Sequence, residues 1–371
     1  MTQSTRMVAV SILGFAACVA CDAELQAQNA AFTSTQVADF ADPWALNFLP
    51  DGRLLVTEKA GELKIVNVND GSMQDVSGVP EVAYGGQGGF GDIVLHPDFD
   101  DNDLVYMSYS EPPGQAAVAR ARLVLNANGG ELADLEVLWR QSMEIPGRGH
   151  FGQRIAFGDG YLWISSGDRQ QGSPAQDMEQ NLGKIVRLNE DGSVPSDNPF
   201  ADRGGVTAQI WSAGHRNPLG LAFDASGQLW NVEMGPQGGD ELNRVERGAN
   251  YGWPTVSNGV NYGGGAIPDH VTRPDFNPPA EYWVPSISPS SLLFYDGDAF
   301  PQWKGSALIG GLSSQSIRRI EFDGDNAEEA EFFDMGMRIR GLAQGPDGAI
   351  WALEGGSRGA NGRLFKLTPN R

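Results

Sequence analysis

DGRLLVTEKAGELKIVN, at residues 51–67, consists of an apolar strand, a short polar break and a second strand. The stretch opens on Asp51-Gly52, a dipeptide that favours a tight turn. Related pairs of segments recur along the chain: NDLVYMSYS (102–110) with AVARARLV (117–124), GYLWISSGD (160–168) with GKIVRLN (183–189), GQLWNVEMG (227–235) with DELNRVERG (240–248), GSALIGGLS (305–313) with SIRRIEFDG (316–324), and GAIWALEGG (348–356) with GRLFKLTP (362–369). One pair is too small to bury its own faces, so the copies must pack against one another.

Further apolar segments, such as ALNFLP, GDIVLHP, GLAFDA and GLAQGP, precede these pairs. Six repeats with an extra strand each predict six sheets of about four strands, and radial packing of such sheets is a β-propeller. We therefore expect an all-β, six-bladed β-propeller over residues 32–371, with the strand at 32–40 joining the last blade to close the ring. The segments expected at equivalent places in successive blades are 53–58, 104–109, 161–166, 228–233, 306–311 and 349–354.

The overall charge excludes one class of partner. The chain of 371 residues has 47 acidic and 26 basic residues, a net charge of -21. A protein this acidic repels polyanions, so nucleic acid is not an expected partner.

The N-terminus is typical of an exported protein. Arg6 precedes an apolar run and then small residues, which predicts a signal peptide over residues 1–21, followed by a polar linker over 22–31. The expected location is periplasmic or secreted. Cys18 and Cys21 are the only cysteines, so the folded body has no disulfide. Cys21 also resembles a lipoprotein cleavage site, which leaves a lipid anchor open as the one expected membrane attachment.

Polar residues that a propeller blade does not need are concentrated within residues 211–254. Arg216 and Asn217 lie on a Pro-restrained turn, where a guanidinium and an amide can face a ligand. Gly235-Pro236 offers backbone carbonyls, and Asp240 and Glu241 offer carboxylates, which are oxygen ligands that calcium accepts. Both features also have a purely structural interpretation. The Arg-Asn turn could tie neighbouring blades together, and the carboxylates could lie on a solvated turn.

GHRNPLGLAF (214–223) followed by EMGPQGGDELNRVERGANYGWP (233–254) resembles the signature of the soluble PQQ-dependent glucose/sorbosone dehydrogenase family. Within that family the chain is most similar to the shorter aldose sugar dehydrogenase branch, and the resemblance covers about residues 33–371. It implies a six-bladed propeller with the quinone cofactor PQQ in a cleft on one face. It also implies a calcium ion at the quinone and a second, structural calcium.

The resemblance assigns roles to individual positions. His150, in GRGHFGQRIAF, matches the catalytic base, although a glycine-flanked histidine taken alone is more often a surface residue. The positions that match cofactor contacts are Gln87, Arg216, Asn217, Tyr262, Arg338 and Arg340. The positions that match calcium ligands are Gly235 and Pro236 at the catalytic ion, and Glu241 and the backbone of Tyr251 at the second ion.

The chain departs from the family pattern in two places. Met234 stands where relatives carry Gln or His. At Leu312-Ser313-Ser314, where relatives often place a cofactor-contacting Lys, only hydroxyls are present. Leu312 and Ser313 are still expected at the cofactor, but one contact to it is in doubt.

The implied reaction is oxidation of an aldose sugar at the anomeric carbon to a lactone. His150 would accept the hydroxyl proton while hydride passes to PQQ, with calcium and Arg216 stabilising the negative charge that develops. Electrons would then leave to a quinone or cytochrome acceptor. Two alternatives stay open: a calcium-dependent propeller lactonase, and a non-enzymatic sugar-binding propeller. A neutral lactone does not need a cluster of positive charges, so the lactonase alternative does not explain Arg338 and Arg340.

Overall fold

Strands are the dominant regular element of the computed structural model, which describes residues 31–356 and 361–370. These residues form 24 strands, β1 to β24, and the four-residue helix α1 (Phe99–Asn102). The 3-10 turns are Ser173–Ala175, Ala201–Arg203, Thr207–Gln209, His270–Thr272 and Pro301–Trp303. No helix in this part of the chain is long and apolar enough to cross a membrane. The predicted signal peptide, the lipid site at Cys21 and all but the last residue of the predicted linker lie outside the described residues.

The strands after β1 (Phe32–Ala41) follow one another in groups of antiparallel neighbours. The first three groups are β2 (Pro43–Phe48), β3 (Leu54–Glu58), β4 (Glu62–Val66), β5 (Met73–Ser77); β6 (Phe90–Leu95), β7 (Leu104–Glu111), β8 (Gln115–Asn126), β9 (Gly129–Arg140); and β10 (Gly152–Gly158), β11 (Tyr161–Ser166), β12 (Lys184–Leu188), β13 (Ile210–Ala213).

The remaining groups have the same order, and β1 supplies the last strand of the final one. They are β14 (Pro218–Phe223), β15 (Leu229–Glu233), β16 (Asp240–Arg244), β17 (Glu281–Trp283); β18 (Pro289–Phe294), β19 (Ala307–Gly311), β20 (Ser316–Asp323), β21 (Asn326–Asp334); and β22 (Ile339–Gln344), β23 (Ile350–Glu354), β24 (Asn361–Pro369) with β1. The six segments predicted to be equivalent are the second strands β3, β7, β11, β15, β19 and β23. Their equivalent placement within the six strand groups is confirmed.

The first strand of the chain pairs with the last. β1 runs antiparallel to β24, from Phe32 opposite Pro369 to Ala41 opposite Asn361. The expectation that the strand at 32–40 joins the final sheet is therefore confirmed. Because the two ends of the described chain hydrogen-bond to each other, the last sheet is complete only when both are in place.

The prediction of six separate sheets is wrong in one respect. Four sheets have four strands, but the first two groups are joined in an eight-stranded sheet. The junction is a parallel pairing of β5 with β9, which begins at Asp75 opposite Gly129. Gly129 has a φ of 135°, and a Cβ there would lie only 2.1 Å from the Asp75 carbonyl oxygen. This glycine permits the close approach that lets the long β9 reach the edge strand of the preceding group.

The first strands of the groups form a closed series of contacts. β2 packs against β6, β6 against β10, β10 against β14, β14 against β18, β18 against β22, and β22 against β2. Apolar side chains fill the space between successive sheets, as where Trp230 of β15 shares a buried cluster with Ile309 of β19. The burial of both faces explains why the second strands are nearly continuous apolar runs.

Arg154, on β10, lies where the first strands meet. It is buried, and it contacts one residue from each of the other five first strands, namely Trp44, Asp92, Leu219, Ser290 and Arg340. Three of these contacts are hydrogen bonds to backbone carbonyls, one is an ion pair with Asp92 at 3.2 Å, and one places the guanidinium 4.0 Å from the Trp44 ring centre. One side chain thus ties together all the first strands.

We predict that Arg154→Met lowers the free energy of unfolding by about 3–5 kcal/mol, because it leaves the buried Asp92 carboxylate without its partner. Urea denaturation of both proteins measures the change. The control is Arg122→Met, which removes an exposed ion pair with Asp134 and should change the same quantity by about 1 kcal/mol or less. Equal effects of the two substitutions would show that the first strands do not depend on Arg154.

Candidate active site

A cleft of about 630 Å³ opens at one end of the first strands. Its walls come from the segments that precede the first strands and those that follow the second strands, since these chain ends meet at one edge of antiparallel pairs. Four of the residues predicted at the cofactor line this cleft: Gln87, Leu312, Arg338 and Arg340. Met234, noted as a departure from the family pattern, lines it as well.

One wall of the cleft is cationic. Arg338 donates to the Leu312 carbonyl at 3.4 Å, while its buried Nε has no hydrogen-bond partner among the described residues. The Arg340 guanidinium makes no hydrogen bond or ion pair within the same part of the chain. Burial, together with the positive charges of Arg154 and Arg338, lowers the pKa of Arg340 to about 9, so it is charged at neutral pH. Unpaired cations inside an acidic protein favour an anionic ligand.

A third cation, Lys59, lines the same cleft. Its ammonium pairs with Asp42 at 3.0 Å and donates to the Gly86 carbonyl at 2.9 Å. An ammonium has three N–H donors, so these two contacts leave one uncommitted. Lys59 therefore offers a further N–H donor to the cleft, while Asp42 offsets its charge.

His150 lies beside the cleft with its imidazole oriented by Asp168. Its Nδ1 is 2.7 Å from Asp168 Oδ1, and its backbone N–H donates to Gln87 Oε1 at 2.7 Å. Asp168 is buried, and its other oxygen accepts from Trp253 Nε1 at 2.7 Å. With Nδ1 held by a carboxylate, Nε2 is the nitrogen left to accept a proton.

Arg216 and Asn217 begin the turn into β14, as predicted, and both are buried. Arg216 donates to the carbonyls of Met234 at 2.9 Å and Gly235 at 2.6 Å, and its buried Nε has no partner among the described residues. Asn217 accepts from the Gly152 N–H at 3.2 Å, so its carbonyl stabilises the backbone beside His150. The Arg-Asn turn therefore connects two walls of the site.

Glu241 faces Glu233 across a small cavity of about 10 Å³, which is room for about one water-sized group. Gly235 and Tyr251 also line this cavity. Burial, and then the negative charge of Glu233, raise the pKa of Glu241 well above its ordinary value. Two buried carboxylates in one cavity favour a proton or a cation between them. The described residues contain no group of three or more His, Cys, Asp or Glu side chains suited to a metal ion, so backbone carbonyls would have to complete any metal site.

The remaining predicted residues are placed less centrally. Pro236 is buried next to Gly235, and the Tyr251 carbonyl accepts from His270 Nε2 at 3.0 Å. Tyr262 is 73% exposed, with its hydroxyl 3.4 Å from Arg216 Nη2. Ser313 is exposed and lines a neighbouring surface pocket instead of the large cleft. Its hydroxyl is 2.9 Å from Ser288 Oγ.

Sequence reasoning missed Lys59, Asp168 and Glu233. All three lie at or just after the end of a second strand, and residues at that end of four groups line the cleft. Aligning the six repeats at this position would have singled them out, because a polar residue at the buried end of an apolar strand needs a functional or structural partner.

The chain matches the family described as Glucose / Sorbosone dehydrogenase over residues 40–366. It is 40% identical over 336 residues to the aldose sugar dehydrogenase YliI of Escherichia coli strain K12, which covers 88% of this chain and 90% of that protein.

Solved structures of similar proteins share the fold. The soluble aldose sugar dehydrogenase from Escherichia coli, in its apo form, has a TM-score of 0.84 and 38% sequence identity, covering 91% of this chain and 100% of that one. The PQQ-bound form of the aldose sugar dehydrogenase from Streptomyces coelicolor has a TM-score of 0.75 and 28% identity, covering 91% and 97%. Agreement in sequence and structure over most of the chain shows that this protein belongs to the glucose/sorbosone dehydrogenase family.

Proposed function

We propose that the protein is a PQQ- and calcium-dependent quinoprotein that oxidises aldose sugars at the anomeric carbon to lactones. In this proposal the six strand groups are the blades of a six-bladed propeller, which the closed series of contacts among the first strands supports. Electrons leave to a quinone or cytochrome acceptor. The predicted signal peptide supports export to the periplasm or beyond, with attachment to a membrane only through Cys21.

The observation that carries the proposal is the pair of arginines without a carboxylate partner in the cleft. Arg338 and Arg340 are two residues apart on an extended segment, so their side chains lie on one face and Ile339 on the other. PQQ carries three carboxylates, and planar guanidinium groups bind carboxylates with paired hydrogen bonds. The cleft therefore suits PQQ better than a neutral lactone, and Lys59 offers a further donor.

The calcium ions fit the oxygen-rich segment from Glu233 to Tyr251. Gly235 and Pro236 would hold one ion through backbone carbonyls, and Glu241 with the Tyr251 carbonyl would hold the second. The cavity between Glu233 and Glu241 supports the second site, since a divalent cation would offset the repulsion of two buried carboxylates. At the first site, Arg216 occupies the Gly235 carbonyl with a hydrogen bond of 2.6 Å, so that bond would be shared or exchanged when an ion binds.

His150 acts as the general base in this proposal. PQQ supplies, when bound, the quinone that accepts hydride from the sugar. His150 Nε2 accepts the proton of the anomeric hydroxyl, and Asp168 stabilises the imidazolium that results because its carboxylate is 2.7 Å from Nδ1. Arg216 provides a fixed positive charge in a buried setting, where it stabilises developing negative charge more strongly than water does.

We predict that His150→Ala lowers kcat by about 10²- to 10⁴-fold, the usual effect of losing a general base, while the PQQ concentration for half-maximal activity changes little. Steady-state dye reduction with an aldose measures both. His96→Ala is the matched control, because His96 is equally buried but lies after the opposite end of its strand, β6. Retention of most of the turnover by His150→Ala would mean that another group is the base.

We predict that Arg338→Ala and Arg340→Ala each raise the PQQ concentration needed for half-saturation about 10- to 100-fold, taking a charged hydrogen bond as about 1.5–3 kcal/mol. Turnover at saturating PQQ should fall much less. PQQ titration of the apoprotein measures the effect, with Arg363→Ala as a control because Arg363 already pairs with Glu354. Unchanged titration curves for both arginine variants would favour the lactonase or the sugar-binding propeller.

We predict that removing calcium with a chelator abolishes activity and lowers the melting temperature, and that added calcium restores both. Binding to the folded state alone stabilises it, by about 2.7 kcal/mol at a ligand concentration 100 times Kd. Glu241→Gln should lower mainly the melting temperature, since Glu241 is assigned to the second ion. A melting temperature and activity that both survive chelation would exclude calcium as a cofactor.

A further inference from the structure

Arg169 is one of the most buried charged side chains in the described structure, at 2% exposure, yet it has no carboxylate partner at its guanidinium. A guanidinium has five N–H donors. The acceptors of Arg169 are the carbonyl oxygens of Gly114, Ile145, Gly147 and Gly149 and the side-chain oxygen Oε1 of Gln141. The number of acceptors equals the number of donors, and all five are neutral oxygens. Arg169 is therefore a clamp on the backbone and not a member of an ion pair.

Four of these five acceptors lie on the segment 141–149, which leads directly into His150. This segment contains no helix or strand, so it lacks the hydrogen bonds of a sheet that would hold it in place. The shortest contacts to this segment are from Nη2 to the Gly147 carbonyl at 2.7 Å and from Nε to the Gly149 carbonyl at 3.0 Å. The Arg169 guanidinium therefore provides hydrogen-bond donors to backbone carbonyls that do not pair with a neighbouring strand.

Arg169 also contacts the residues at and after the histidine. Its backbone N–H donates to the His150 carbonyl at 3.1 Å, and its guanidinium lies 3.7 Å from the ring centre of Phe151. Arg169 directly follows Asp168, whose carboxylate binds His150 Nδ1. One turn of chain therefore holds both the imidazole and the backbone that carries it.

The backbone of this turn is strained. Arg169 and Gln170 have φ values of 55° and 61°, and His150 itself has 48°. Residues other than glycine rarely adopt this left-handed conformation, which costs about 1–3 kcal/mol each and persists only where the surroundings enforce it. The five hydrogen bonds of Arg169 are of the kind that can enforce it.

We propose that Arg169 is a positioning residue that holds His150 in the geometry required for proton transfer. The proposal rests on the proposed function for the identity of the reaction, but the clamp itself is a property of the apoprotein. A misplacement of about 1 Å in a reacting group can cost about 100-fold in rate. Loosening the clamp should therefore lower kcat, while the cationic wall at Arg338 and Arg340 keeps its affinity for PQQ.

The test is Arg169→Lys, which retains a positive charge and most of the volume but cannot reach five acceptors with one ammonium. We expect kcat to fall about 10- to 100-fold, with a much smaller change in the PQQ concentration for half-saturation. The matched control is Arg187→Lys on β12. Arg187 is also buried and stacked on aromatic rings, but its guanidinium donates to the Asn198 side chain, away from the cleft. A loss in kcat no larger than that of the control would overturn the proposal.

A second readout does not depend on activity. The chain has 4 histidines, so a spectrum of ¹⁵N-histidine-labelled apoprotein contains few imidazole signals, and His150→Ala identifies the one from His150. Arg169→Lys should shift or broaden that signal and speed deuterium exchange in residues 141–150, and Arg187→Lys should do neither. An unchanged His150 signal together with unchanged exchange would also overturn the proposal. If the wild type oxidises no aldose, the proposed function fails, and these two measurements still decide whether Arg169 holds the segment.

Gly147→Ala covers the case in which Arg169→Lys does not fold. Gly147 has a φ of 120° and an added Cβ would meet no atom within 4 Å, so alanine acts only through the backbone conformation. The same loss of kcat and the same change at the His150 imidazole are expected from it. If Gly147→Ala leaves both unchanged, the segment does not depend on the conformation that Arg169 clamps, and the proposal is wrong.

Discussion

The buried guanidinium of Arg154 is the interaction on which the arrangement of the molecule depends. Each group of strands buries its own apolar faces against its neighbours, but those contacts are non-directional and specify no common centre. Arg154 specifies one, because it meets a residue of every other first strand through directional hydrogen bonds, the Asp92 carboxylate and the Trp44 ring. The segments that line the cleft adjoin these first strands, so the geometry of the site follows from the geometry at the centre.

The cleft is rich in positive charge although the chain as a whole is acidic. The chain as a whole has a net charge of -21, while the cleft collects Lys59, Arg338 and Arg340, and only Lys59 is neutralised there. Desolvated cations without partners lower stability, and the pKa of Arg340, lowered by burial to about 9, reports that cost. Such an arrangement is expected where a ligand supplies the missing anion. The same reasoning applies with the opposite sign at Glu233 and Glu241, where two carboxylates share a cavity and a cation would offset their repulsion.

Most of the non-glycine residues with positive φ values lie at the same end of the strands, whereas Asp103, Asp134 and Asp159 lie away from the site. His150, Arg169, Gln170 and Ser288 all have positive φ values, and each lies at the cleft or in the segment behind it. Asp42, which pairs with Lys59, has a φ of 53° as well. Around His150, the buried Arg169 side chain binds the neighbouring carbonyls and can enforce these conformations. The strands supply rigidity, and the loops between them hold a geometry that their own sequences would not adopt alone.

The sequence by itself determined the local elements and much of the site. Short apolar runs bounded by turn residues located the six second strands, since strand patterns and turns depend on residues close together in the chain. The motif around Arg216 was visible as a local concentration of polar residues, whereas Arg338 and Arg340 were assigned through the resemblance to a known family. All three lie at the site. Only the tertiary structure decided the parallel pairing of β5 with β9, the contacts of Arg154, the approach of Asp168 to His150 and the five acceptors of Arg169. Each of these joins residues that no periodic pattern relates, and a hydrogen bond between distant segments leaves no trace in either segment alone.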